Sequence, residues 1–366
     1  MDQTFTRIAD DAGHVPLSWV AADSSNTYVN LGDALSPVMV ALLSGRDVRH
    51  VGHKSSKPRM AAVGTIAHSF EGGEVHVWGT GSSRWRNPIA VGQKRIPFHP
   101  TPSTRFRVHA TRGPIGRQLL GEENAVGAPV YGDPVWLLPR FYPAPTEKKW
   151  DLGVIVHLAD LTNREKTVSV RPEHLRYVVP PEFEGSVRLI NTITDVSAAA
   201  MRGKLDEILS CRRLVSTSLH GMVFAESYGI PCLYFSPRGR NDGLTTIELD
   251  PDGTLDLRIT DLYRGLGRTA IPAYSQPRRS HTDWAALMGA IDRAWEPTPF
   301  DADPLAERSP LPLAPVTAPA GGTVFDLPLI RDLPYGHGPK RAPVAAEGAP
   351  EAPRRKRSLL RTLLSR

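Results

Sequence analysis

VSTSLHGMVFAESYGIPCLYF, residues 215–235, places a glycine directly behind a histidine, His220-Gly221, where a buried strand turns into a helix. A helix that only had to pack would carry alanine or leucine there, because glycine costs a helix interior roughly 0.5–1 kcal/mol relative to alanine. The pair has two explanations: a tight strand–helix contact, or a reactive imidazole at the mouth of a cleft. The flanking pattern decides the fold. LVST and CLYF are short apolar runs bounded by turn residues, and LHGMVFAESYG between them has helical spacing. Strand, helix, strand in that order implies parallel pairing with the helix packed on a sheet face.

The same alternation extends outward. ALSPVMVALLSG (residues 34–45) reads as a helix with Asp33 as its cap and Gly45 as its stop. DVRHVG, MAAVGTI, EVHVWG and FRVHA read as strands, and GPIGRQLLG as a helix with proline in its first turn. WDLGVIVHL opens a second series: SVRLIN a strand, VSAAAMRGKLDEILSC a helix, RRLVST a strand. A helix near HTDWAALMGAIDRAWE closes it. The proline-rich join LLPRFYPAPTEKKW (residues 137–150) separates the two series. The expected fold class is therefore α/β, with two Rossmann-like domains facing across a cleft: residues 1–145, then 146–296. Ligands in such sheets bind beyond the carboxyl ends of strands. From Pro297 to residue 366 the chain is rich in proline and alanine, and is expected to form no regular packed element.

Composition excludes several classes. With 366 residues, 40% of them hydrophobic, there is ample material for two cores. The net charge of +6 resides in residues 354–366 (RRKRSLLRTLLSR), which hold six basic side chains and no acid, so the body before them is formally neutral. No nucleic-acid partner is expected of such a body. Two cysteines, Cys211 and Cys232, form neither a disulfide framework nor a metal spacing, and no metal is expected. There is neither a leader-like N-terminus nor a membrane-spanning apolar run, so a soluble cytoplasmic protein is expected. In the basic tail Leu359, Leu360, Leu363 and Leu364 share one helical face among arginines. Such a segment suits either peripheral contact with an anionic membrane, at the inner face of the cell membrane, or a solubilising tail.

The candidate site residues follow strands. Ser218 is positioned to cap the helix of His220, whose N-terminus is an anion seat, and Gly221 admits a close ligand or backbone. Arg112, in VHATRGP, stands between a strand and a helix start, where a guanidinium grips carboxylate or phosphate. NLGD (residues 30–33) brings Asn30, Gly32 and Asp33 to the start of the first helix. Gly79, Gly81 and Ser82 lie in the Gly-rich turn WGTGSS, and His157 ends the strand of VIVHLAD; GDP (residues 132–134) is a further strand-end turn. No zinc, P-loop, Ser-His-Asp or complete dinucleotide-binding pattern is present.

Taken in order, NLGDALSP, VWGTGS, ATRGP, YGDPVWLLP, LGVIVHLAD, STSLHGMVFAESYGIP and ITDLYRGLG resemble the polysaccharide pyruvyl transferase family, nearest to the bacterial ketal-pyruvate transferases of exopolysaccharide synthesis of the succinoglycan type. The resemblance runs from about Asn30 to Gly267. It implies a two-domain arrangement like that of the glycosyltransferase-B enzymes. The implied reaction moves pyruvate from phosphoenolpyruvate, a donor substrate with no separate cofactor, onto a lipid-linked oligosaccharide or glycan acceptor as a ketal, with release of phosphate. His220 is then the acid and in turn the base, its imidazole titrating near operating pH, and Asp33 handles an acceptor hydroxyl. Some relatives carry arginine where this chain has Ser218, so the missing charge is expected from Arg238 or Arg240. The competing expectations are a nucleotide-sugar glycosyltransferase of the same plan and a non-enzymatic adaptor.

Overall fold

Two sheets organise the chain in the computed structural model, which describes residues 4–23, 27–88, 92–239 and 243–336. The first has five strands in the spatial order β3 (Val48–His50), β1 (Val15–Ser18), β4 (Arg59–Ala61), β5 (Gly73–Trp78) and β6 (Thr104–Ala110). All are parallel. The second has six, in the order β12 (Gly243–Glu248), β13 (Ala270–Ser275), β11 (Cys232–Ser236), β10 (Leu214–Ser216), β7 (Leu152–Ile155) and β8 (Val187–Ile190). Only β12 runs antiparallel to its neighbour. A two-stranded ribbon, β2 (Val29–Asn30) with β9 (Ile193–Thr194), ties the first part of the chain to the second.

The helices are α1 (Thr4–Ala12), α2 (Leu31–Ser44), α3 (Pro114–Leu120), α4 (Ala198–Leu209), α5 (Leu219–Ser227), α6 (Leu257–Gly265), α7 (Trp284–Ala294), α8 (Asp303–Glu307) and α9 (Pro328–Arg331). Near-continuous burial along β1, β4, β7, β10 and β11 is what a parallel sheet covered on both faces demands. Among the described residues no helix is long and apolar enough to cross a membrane.

The sequence expectations need one addition and two corrections. First, β1 and α1 belong to the first half although residues 4–18 carry little pattern. Pro16 argues against an interior strand, but it is tolerated because β4 pairs only with Leu17 and Ser18, beyond the proline. Second, Asp33 is not the cap of α2. The helix begins two residues earlier, and Asn30 caps it by accepting a hydrogen bond from the Gly32 amide (3.2 Å). Gly45 ends it as expected, in the left-handed region at φ 64°, its N–H donating to Ala41 O. Third, the proline- and alanine-rich stretch does pack as far as Gly336. Leu305 and Ile330 are fully buried and Phe325 nearly so. Trp78 Nε1 donates to Leu305 O (2.8 Å), and the amides of Ala314 and Val316 donate to the last carbonyls of α2, Leu43 and Leu42. Prolines hold this stretch extended, and its intervening apolar residues fill the groove beside α2. The basic tail, residues 354–366, lies outside the described residues.

Candidate active site

His220 is the second residue of α5, four residues beyond β10. Ser218 caps that helix, its Oγ accepting from the Gly221 amide at 3.1 Å. The imidazole is buried against Gly32 in the first turn of α2: a Cβ at position 32 would overlap the ring at Nδ1 and Cγ. Gly32 is thus the room that His220 occupies, a contact between the two halves of the chain. Nε2 of the ring is buried with no hydrogen-bond partner. Gly221, by contrast, serves packing, since a Cβ there would strike Ser216 and approach Ile155 Cγ2 within 3.1 Å. Tight packing is thus the explanation for Gly221.

Arg112 follows β6 and is wholly buried. Its Nη1 donates to Thr65 Oγ1 (2.8 Å), while Nε and Nη2 have no partner. Gly81, past β5, is glycine because a Cβ would run into the guanidinium. The start of α3 beside Arg112 is already filled. Asp261 of α6 accepts from the amides of Ile115 (2.9 Å) and Gly116 (3.1 Å) through Oδ1. Its Oδ2 lies 3.8 Å from Arg112 Nη2 and is otherwise unpartnered. Two glycines permit this approach: a Cβ on Gly113 would collide with the Asp261 backbone carbonyl, and one on Gly265 would meet the Arg112 carbonyl oxygen at 2.5 Å.

Two more carboxyls complete the cluster. Asp133 is fully buried and caps the 3-10 turn Pro134–Arg140, Oδ1 accepting from Val135 N (3.0 Å), with Oδ2 unpartnered. Asp33 sits where a Cβ on Gly64 would come within 3.1 Å of its Oδ1. Burial raises both acids to about 6, opposed by nearby guanidinium charge: Arg112 at Asp133, and Arg258 and Arg112 at Asp33. Arg258, at the start of α6, is paired with Asp256 (2.6 Å) and stands 3.4 Å from His157 Nε2. His220 is driven down to about 3, first by burial and then by Arg112 and Arg258. Burial and the two guanidiniums thus hold the imidazole neutral in the ligand-free protein, below its expected range, whereas Asp33 and Asp133 are both held near 6.

Polar atoms without partners mark the place. Arg112 Nε, Asp133 Oδ2 and His220 Nε2 are buried without a hydrogen-bond partner, as are Arg112 Nη2 and Asp261 Oδ2, which face each other as an ion pair at 3.8 Å. Their electrostatic coupling runs through Arg112, which acts on each of the other three groups. Buried polar groups are nearly always satisfied, so such a convergence is what a site awaiting a polar ligand looks like.

The other expected residues divide. His157 borders the site through Arg258, its Nδ1 accepting from the Ala159 amide. Asn30 and Ser218 act as caps. Gly79, at φ 90°, makes room for Pro134, and Ser82 donates to the Ser83 carbonyl. Arg238 is exposed, and Arg240 lies outside the described residues. The second guanidinium acting on Asp33 and His220 is that of Arg258. Asp133 stood within a noted turn, but nothing local distinguishes Arg258 among 44 lysines and arginines.

The burial of Asp133 has a measurable consequence. Its native pKa of about 6 exceeds the ordinary 3.8, so the ionised form is the one folding disfavours. The penalty is absent below pH 3.8, grows as pH rises, and is complete above 6, where the difference corresponds to about 3 kcal/mol. Asp133→Asn keeps the cap and removes the charge. Urea unfolding should find it more stable than wild type at pH 7.5, by about 1–3 kcal/mol, with the two converging near pH 4. Equal midpoints at pH 7.5 would show that this carboxylate is not strained.

Fold and site together define an α/β protein with a buried cluster of guanidiniums, carboxyls and an imidazole at the carboxyl ends of two sheets. Residues 103–239 match the family model described as polysaccharide pyruvyl transferase, and this segment belongs to that family. It contains Arg112, Asp133, His157, Ser218 and His220. Asp33, Arg258 and Asp261 reach the same site from outside it. The chain is also similar to an uncharacterized protein of Acanthamoeba polyphaga mimivirus, 31% identical over 138 residues; that stretch covers 37% of this chain and 39% of the viral protein. No solved structure matches.

Proposed function

We propose that the chain transfers pyruvate from phosphoenolpyruvate to a sugar of an exopolysaccharide or cell-surface glycan precursor, forming a pyruvate ketal and releasing phosphate. The observation that carries this reading is the convergence of partnerless buried atoms of Arg112, Asp133, His220 and Asp261, next to Arg258. Phosphoenolpyruvate holds phosphate and carboxylate on adjacent atoms, and two guanidiniums in a water-poor setting suit it. Asp261 occupies the α3 amides as a carboxylate, and the unpartnered N–H groups of Arg112 remain for the donor. The two halves are proposed to meet in a glycosyltransferase-B-like arrangement, each supplying part of the site.

In the proposed reaction an acceptor hydroxyl oxygen bonds to C2 of the donor while the methylene carbon takes a proton from the Asp33 carboxyl, making it methyl, and the hydroxyl's own proton passes to the Asp33 carboxylate so formed. A second hydroxyl then bonds to C2 as the C2–O bond to phosphate breaks, and its proton passes to a base. The Asp33 carboxyl, at about 6, is the group able to hold the first proton near neutral pH. Neutral His220 is suited to receive the second. A bound dianion offsets the two guanidinium charges and moves His220 back up, toward the acid role. If Asp33 is the donor of the first proton, kcat/KM for phosphoenolpyruvate falls as pH rises through about 6, and Asp33→Asn removes that limb. A lipid-linked acceptor would explain a peripheral membrane contact by residues 354–366.

The test is phosphate release from phosphoenolpyruvate by the purified protein, with and without membrane-extracted lipid-linked oligosaccharide. Acceptor-dependent release supports the reading. No release with any acceptor, together with thermal stabilisation by a uridine-diphosphate sugar and none by phosphoenolpyruvate, would replace it with nucleotide-sugar glycosyl transfer.

A further inference from the structure

Six of the seven tryptophans, Trp19, Trp78, Trp136, Trp150, Trp284 and Trp295, lie in or against a hydrophobic cluster. Trp85 joins none of these clusters among the described residues. It is partly exposed, and the ring contact recorded for it is the guanidinium of Arg95, an exposed side chain 5.7 Å from its centroid. Its place in the chain is four residues beyond Gly81, the glycine that abuts Arg112.

The backbone beneath Trp85 is held firmly. Its amide donates to Ser83 Oγ (3.0 Å), and Ser83 N donates to His68 Nδ1 (3.3 Å). On either side, Arg86 N donates to Ile96 O and Phe98 N to Arg84 O, both at 2.8 Å. The Arg84 side chain reaches across to the other half of the chain, donating to Pro251 O (2.8 Å) and Asp252 Oδ1 (2.7 Å). A firmly hydrogen-bonded backbone thus presents an indole that joins no hydrophobic cluster, four residues along the chain from the glycine against Arg112 and next to Arg84, which bridges the two halves. Ile96 beside it is 51% exposed, so the patch is apolar and framed by the cations Arg84, Arg86 and Arg95.

An indole offers a flat apolar face and one polar tip, which matches the C–H face of a hexose edged by hydroxyls. The Arg95 contact is a weak cation–π pairing that such a ring can displace. We propose that Trp85 is the stacking platform for the acceptor sugar of the site built around Arg112 and His220. This inference rests on the pyruvyl-transfer reading for its substrate class, but it concerns the acceptor alone.

The experiment is saturation-transfer NMR with three hexose disaccharides bearing free 4- and 6-hydroxyls, namely lactose, cellobiose and mannobiose. They are titrated into wild type, Trp85→Ala and Trp85→Phe, alongside thermal shift with phosphoenolpyruvate on the same proteins. At least one disaccharide should bind the wild type, bind Trp85→Ala at least 10-fold more weakly, and bind Trp85→Phe with intermediate affinity. The phosphoenolpyruvate shift should be the same in all three. Disaccharide binding unchanged in Trp85→Ala, or no binding to the wild type, overturns the platform. Should phosphoenolpyruvate leave the wild type unshifted while Trp85-dependent sugar binding persists, the donor reading falls and the platform stands. Trp85→Phe preserves the test if the alanine variant does not fold.

Discussion

Replacing His220 by alanine is expected to abolish acceptor-dependent phosphate release, by about 10²–10⁴-fold, while the protein remains folded. The imidazole has no hydrogen-bond partner at Nε2, so its removal breaks no bond that holds the fold. A second substitution tests whether position or merely presence matters. Gly32→Ala places a methyl group where the imidazole now lies, and must push the ring out. It should therefore lower turnover to nearly the level of His220→Ala, and also lower the melting temperature. Combining the two removes the clash along with the ring, so the double variant should melt above Gly32→Ala alone while being equally inactive. Such non-additivity is what two residues in direct contact give. If Gly32→Ala is fully active, His220 does not work from its observed position.

The largest loss of stability is expected from Gly113→Ala. The conformation of Gly113 is no obstacle, since φ −160° and ψ −179° are open to any residue. The obstacle is the backbone carbonyl of Asp261, which stands where the new methyl group must go. Backbone cannot yield as a flexible side chain does, so α6 must withdraw from the β6–α3 turn. The overpacking alone costs about 1–3 kcal/mol. Withdrawal also breaks the two amide bonds to the Asp261 carboxylate, each worth about 1.5–3 kcal/mol as a bond to a charged group. A total of at least about 3 kcal/mol should appear as a lower urea midpoint, with donor binding lost as Arg112 and Arg258 move apart. Unchanged stability would mean that the two halves are free to separate at this contact.

Much of the chain's local order is legible without coordinates. Alternating apolar runs and helical spacing placed α3, α5 and α7 and the strands around them. Gly45 at a helix end and Ser218 at a helix start are cap chemistry read from one or two residues. Arg112, His157 and His220 stand just past strands, where a parallel sheet exposes its carboxyl ends. These are short-range facts, and local sequence carries them.

What tertiary structure alone decided is which distant residues meet. Asp261 fills the start of α3, Arg258 rather than Arg238 faces the site, and Gly32 makes way for a ring 188 positions later in the chain. No local pattern marks these residues, because an arginine or glycine carries no sign of what will approach it. The same holds for residues 297–336: prolines limit them to short helical pieces, α8 and α9, yet their leucines and aromatics find a groove that exists only after the first half has folded. The altered ionisation of Asp33, Asp133 and His220 likewise follows from burial and neighbouring guanidiniums distant in sequence, moderated at Asp133 by the Val135 amide.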